Sequence, residues 1–157
     1  MKLFKSWVPY AVVLGVATMA GVTAFGGNEA PAPAPIDVVV YKNPSCGCCA
    51  KWIDILKAEG FNVEVHDTAA VEPIKERNGI PAALWSCHTA FVEGYVIEGH
   101  VPVADIRRLL REKPKVVGLT VPGMVVGSPG MEIGNRKDPY EVLSFGRDGK
   151  TEVWARH

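Results

Sequence analysis

Three cysteines packed into four positions, Cys46-Gly47-Cys48-Cys49, stand between two runs of different periodicity. Before them, Ile36 to Tyr41 is a β-branched run of the kind that forms a buried strand. After them, Ala50 to Glu59 places Trp52, Ile53, Ile55 and Leu56 on one helical face, and Gly60 supplies a stop. A strand that turns sharply into a helix puts the sulfurs at a helix N-terminus, where unpaired N–H groups and the helix dipole favour negative charge. Thiolates there are better nucleophiles and better metal ligands. The fourth cysteine, Cys87, is followed at once by His88. The four sulfurs can hold a metal, exchange electrons as disulfides, or staple the fold.

The rest of the pattern is read around that turn. Phe61 to His66 alternates as a second strand, and a short helix opened by Asp67 or Thr68 runs to Arg77, with Pro73 in its first turn. Ala82 to Val92, carrying Cys87 and His88, and Tyr95 to His100 read as two strands around the Glu93-Gly94 turn. Val103 to Glu112 is a helix stopped by Pro114. The order β-α-β-α-β-β-α is α/β and thioredoxin-like: a mixed β-sheet flanked by helices, its first strand pair parallel and its last antiparallel. Val116 to Arg136 is too rich in Gly and Pro for a long helix and reads as an ordered loop carrying Met124 and Met131. Arg147-Asp148-Gly149-Lys150 then closes a C-terminal β-hairpin extension.

The first residues read as an export signal. Lys2 and Lys5 precede Trp7 to Phe25, which is free of charge, and Val22-Thr23-Ala24 suits signal peptidase. Residues 1–24 are therefore a cleaved signal peptide or, on the other reading, an uncleaved membrane anchor; both place the remainder in the periplasm. Residues 25–35 form an extended Ala/Pro linker, and residues 36–157 one folded domain. Of the chain's 17 basic residues, cleavage removes Lys2 and Lys5, leaving 15 against 17 acidic ones, a net of −2. No basic stripe stands out, so nucleic acid is not an expected partner, and the membrane is met only through an uncleaved N-terminal segment. No serine-nucleophile, phosphate-loop or paired-carboxylate motif is present.

Export favours oxidised thiols, and four cysteines could be two disulfides. Adjacent Cys48 and Cys49 make a poor pair, because their Cα atoms are about 3.8 Å apart, below the usual span for a disulfide. Cys46 and Cys49 form a C-x-x-C pair at the start of the first helix, which supports a thiol-disulfide oxidoreductase, with Cys46 as nucleophile, Cys49 as resolving thiol and Pro81 in the place of a cis-proline. Soft thiolates clustered in this way select Cu(I).

The succession of KNPSCGCC, SCHTAFVEGYVIEGHVP, a helix and GLTVPGMVVGSPGME resembles the DUF411 family of small exported bacterial proteins, which includes the CopG-type periplasmic copper proteins. The resemblance runs from Ile36 to the C-terminus. It implies a thioredoxin-like fold and copper bound through Cys46, Cys48, Cys49 and Cys87, with His88 and then His100 as supporting nitrogens. The expected cargo is Cu(I), held on bridging thiolates as several ions, with periplasmic copper donors or acceptors as partners. Enzymatic activity is left open between pure metal binding and copper-linked or thiol-disulfide redox chemistry. Met124 and Met131 are read as core fillers, Trp52 and Trp85 as core, His66 as a strand-end residue, His157 as a frayed terminus, and Asp105 and Glu112 as solvated helix positions.

Overall fold

The computed structural model describes residues 34–157. The export segment, 1–24, and nearly all of the linker, 25–35, lie outside the described residues. The elements are β1 (Ile36–Lys42), α1 (Gly47–Ala58), β2 (Phe61–Asp67), α2 (Val71–Arg77), a 3-10 turn (Ala82–Leu84), β3 (His88–Val92), β4 (Tyr95–Glu98), α3 (Val103–Glu112), β5 (Gly118–Thr120), β6 (Glu141–Phe145) and β7 (Thr151–Arg156). All seven strands join one mixed sheet in the order β2-β1-β3-β4-β5-β6-β7.

The first four strands carry the expected pairings. β1 and β2 are parallel across the α1 crossover and β4 is antiparallel to β3; β3 joins them by lying antiparallel to β1, a pairing the order alone does not give. This is compatible with a thioredoxin-like core. The sheet then continues where a loop was expected: β5 lies parallel to β4 and links it to the antiparallel β6–β7 hairpin. β5 is only three residues long and buried, too short for periodicity to reveal within a Gly/Pro-rich stretch.

Register decides which side chains share a face. Val38 and Val40 of β1 sit beside Val92 and Ala90 of β3, and alternate residues point the same way. These residues form the main core with Trp52, Ile53 and Leu56 of α1 and Ile106, Leu109 and Leu110 of α3. Trp52 is fully buried, and its indole N–H is satisfied by the Val101 carbonyl at 2.9 Å. The other face carries a smaller cluster of Ile80, Leu84, Val96 and Phe145. α2 packs near this second face, and its Lys75 ammonium reaches Thr89 and Glu98 there.

Several local expectations are corrected. α1 starts three residues earlier than its apolar pattern suggests. Cys46 is the N-cap and makes no side-chain cap bond. The Ser45 hydroxyl donates to the Asn43 side-chain oxygen at 2.7 Å. The Ala82–Val92 stretch is a 3-10 turn and then a strand that begins only at His88. Pro81 is trans, since no peptide bond among the described residues is cis. Trp85 is only half-buried. His157 is not frayed: its Nε2 meets the Asp105 carboxylate at 2.8 Å, and its ring stacks on Tyr140. Asp105 is accordingly buried rather than solvated. Glu112 is exposed as expected and pairs with Arg108 one turn earlier. His66 stacks on Tyr41 at the end of β2.

Candidate metal centre

Four cysteines and two histidines converge at one end of β1 and β3. Cys46, Cys48 and Cys49 occupy the N-cap, second and third positions of α1, because β1 ends at Lys42 and the chain turns through Asn43–Ser45. The Cys46 N–H donates to the Asn43 carbonyl at 3.0 Å and closes that turn. Cys87 arrives from across the sheet, just before β3. Its Sγ lies 3.3 Å from Cys49 Sγ, and Cys46 Sγ lies 3.4 Å from Cys48 Sγ.

On a straight strand, Cys87 and His88 would point to opposite faces. They do not, because Cys87 sits in a bend ahead of the strand. Cys87 Sγ is 3.3 Å from His88 Nδ1 and 3.0 Å from His100 Nε2. Two donor groups result, each with ligand atoms within 4.8 Å of one another: Cys46, Cys48, Cys49 and Cys87, and Cys87, His88 and His100. Cys87 belongs to both.

The protons of the site are set by its surroundings. Burial pushes the Cys87 thiol up to about 12, with the nearby Cys48 sulfur adding to the effect. Cys87 is therefore a thiol whose proton can be donated to His100 Nε2. His100 is ready to accept it: its Nδ1–H donates to the Pro129 carbonyl at 2.8 Å, which leaves the Nε2 lone pair facing the sulfur. A backbone acceptor on the far nitrogen is the usual way a ligating imidazole is oriented. Burial also lowers both imidazoles, holding His88 well below the ordinary value, with help from His100 and Lys75, and His100 below it as well. His88 lies under Trp52, ring centroids 4.4 Å apart, and its buried Nε2 has no partner among the described residues. Neutral imidazoles and thiols that can shed a proton are the forms that take up a soft cation.

Cys46 and Cys49 are joined as a disulfide, Cα–Cα 5.4 Å, which leaves Cys48 and Cys87 as free thiols. The C-x-x-C pair is thus the one that closes, and the strained Cys48–Cys49 pairing is not used. In this state two of the four sulfurs are withdrawn from thiolate chemistry, and reduction returns them.

Three supporting features were not evident from sequence. The bend at Ser86–Cys87 is held by Glu98, whose Oε1 accepts the Ser86 N–H at 2.6 Å. Glu98 is itself fixed by Lys75 at 2.5 Å and by the Thr89 hydroxyl at 2.7 Å, all three residues being buried. Burial raises the Glu98 carboxyl, and the Lys75 ammonium pulls it back down. The third feature is the Gly/Pro loop, which meets the site through Pro129 and Gly130. A Cβ at Gly130 would lie 2.8 Å from the Cys48 carbonyl oxygen and 2.9 Å from Trp52 N, so only glycine lets the loop approach so closely. A glutamate amid an apolar strand was the one available sequence signal. Neither Lys75 nor Gly130 stands out from its neighbours. Met124 is 55 % exposed, so it does not fill the core.

Among the described residues no helix is long and apolar enough to cross a membrane. Residues 84–131, which include Cys87, His88, His100 and both loop methionines, match the family described as "Protein of unknown function, DUF411". No curated protein matches the chain. Two solved structures match, described as "Copper resistance protein copG", forms 1 and 2. Each is 46% identical to this chain, with TM-score 0.75, and the match covers 78% of this chain and 98% of that one. On that identity, sustained over nearly the whole of the related chains, this protein belongs to the DUF411 family and is of the CopG type.

Proposed function

We propose that this protein acts in copper resistance by holding Cu(I) on Cys46, Cys48, Cys49 and Cys87, with His88 and His100 as supporting nitrogens. The observation that carries this reading is the convergence of four sulfurs and two imidazoles at one end of the sheet, with Cys87 common to both donor groups. Thiolate sulfur selects Cu(I), and imidazole suits copper as well. Each thiolate can bridge two ions, so four of them support a multinuclear cluster. Copper is the cargo here, and the copper resistance relatives support its identity. The proposed setting is the periplasm, with copper-supplying or copper-accepting proteins as partners, consistent with the charge-free segment near the N-terminus.

The Cys46–Cys49 disulfide favours a second reading, thiol-disulfide exchange. Opening it takes two electrons and two protons and yields two thiols. The same step makes all four thiols available to metal, so reduction and copper loading are coupled in this account. Cys48 separates the two readings, because it is a donor but not a member of the redox pair. In Cys48→Ser, copper retained by the reduced protein is expected to fall by half or more, while the Cys46–Cys49 couple still opens and closes in a thiol-exchange assay. Full copper retention in that variant would contradict the cluster reading.

A further inference from the structure

The sulfurs gather at one end of β3, and a cleft of about 890 Å³ opens at the other. β3 starts at His88, beside Cys87, and ends at Val92, so the β3–β4 turn stands roughly 15 Å along the strand from the sulfur site. Phe91 and Val96 are direct partners across β3 and β4. They give the cleft an apolar floor, continuous with the smaller cluster that holds Ile80, Leu84 and Phe145. A volume of this order suits a small molecule. Copper binding makes no use of it.

Three cations line this cleft. Arg77 closes α2, Lys115 precedes β5, and Arg147 stands in the turn between β6 and β7. Arg107, Arg108, Arg136 and Arg156 each meet a carboxylate, whereas among the described residues none of the three cleft cations does. The acidic side chain in the lining, Asp148, is already held by the Lys150 ammonium at 2.9 Å and the Lys150 N–H at 3.2 Å. The chain as a whole has 17 basic and 17 acidic residues, so no general excess of positive charge explains the cluster. A basic run along one helix is an ordinary solvated face. Here the cations come from three elements far apart in sequence and converge on one concave surface. Low-dielectric walls focus such a field, and the planar guanidinium fork matches carboxylate and phosphate oxygens.

We propose that this cleft binds a small organic polyanion: Arg77, Lys115 and Arg147 take its acidic groups, and Phe91 and Val96 take its apolar frame. Binding is non-covalent and needs no metal. The inference is independent of the copper reading, because no residue of the cleft is one of the sulfur or imidazole donors.

The probe is trimesate, a benzene ring carrying three carboxylates, titrated into the full chain and followed by backbone amide NMR shifts. Saturable shifts are expected at Gly79, Gly94 and Gly146, which line the cleft, and none at Cys87 or His100. Arg77→Gln and Arg147→Gln change exposed side chains and leave the core untouched. Each should weaken binding about tenfold, the usual worth of a hydrogen bond to a charged group, and the double variant should weaken it further. Benzoate, which keeps the ring and one carboxylate, and inorganic phosphate, which has charge and no frame, should both bind far more weakly than trimesate. Shifts that never saturate, or equal binding by the double variant, would overturn the proposal. Shifts centred on Cys87 and His100 would overturn it as well, by placing the anion at the sulfur site. Benzoate binding as tightly as trimesate would remove the role of the cations, and phosphate doing so would remove that of the floor; either result overturns an organic polyanion as the ligand.

Discussion

Cys87→Ser is expected to weaken copper retention at least about a hundredfold, the upper end of what loss of an outer-shell contact costs a metal site. Cys87 is the residue that both donor groups share. Its sulfur touches Cys49, His88 and His100 within 3.3 Å, so its loss separates the α1 cysteines from the two imidazoles. Serine is close in shape, so the fold should persist, but its hydroxyl is a hard donor that Cu(I) disfavours. His88→Ala or His100→Ala alone should cost less, about tenfold, because the thiolates remain. Competition against a Cu(I) chelator of known affinity measures all three. Retention within a factor of a few of the unmodified protein in Cys87→Ser would mean that the α1 cysteines hold the metal without it.

Glu98→Ala is the substitution expected to cost the most stability. Glu98 is fully buried, its partner Lys75 nearly so, and their charged atoms are 2.5 Å apart. Alanine would leave the Lys75 ammonium without its counter-charge, and breaking a buried pair from one side costs roughly 3–5 kcal/mol. Against a total stability of about 5–15 kcal/mol for a domain, that is a large share. The Ser86 N–H would also lose its acceptor, so the bend that turns Cys87 toward His88 should loosen. Glu98→Gln keeps an acceptor for Ser86 and should recover part of the loss. Replacing both partners, Lys75→Met with Glu98→Leu, should be far milder than either one-sided loss, because no charge is left buried. Denaturant unfolding distinguishes these cases. A loss below about 1 kcal/mol in Glu98→Ala, the range of exposed pairs, would mean that water replaces the missing carboxylate.

The elements that position the α1 cysteines were legible because each announces itself locally. Val38, Val39 and Val40 mark a strand, and the Trp52-Ile53-Leu56 face marks a helix. α3 was legible to the residue, since Ile106, Leu109 and Leu110 share one face and Pro114 ends the run. The cysteine cluster was legible as chemistry for the same reason: three soft donors lie within four positions. What escaped depends on contacts between distant segments. The bend at Cys87 is imposed by Glu98 and Lys75, which lie 12 and 11 residues from Ser86 in the sequence and meet only in the folded sheet. His157 looked like a loose end because its anchor, Asp105, is 52 residues away. β5 escaped because three residues carry too little periodicity. Met124 was misread as core because composition cannot tell a filler from an exposed side chain.

The central claim is that the four sulfurs act together on copper, and copper content against thiol count tests it most directly. The reduced chain would be loaded anaerobically with Cu(I), desalted, and assayed for metal and for alkylatable thiols. Several coppers per chain are expected, with all four thiols protected until a chelator is added, and clearly less copper in the Cys46–Cys49 disulfide form, where only Cys48 and Cys87 are free. Little copper retained by the reduced chain, together with a dithiol that cycles reversibly in thiol exchange, would contradict the claim and place the protein among the disulfide oxidoreductases.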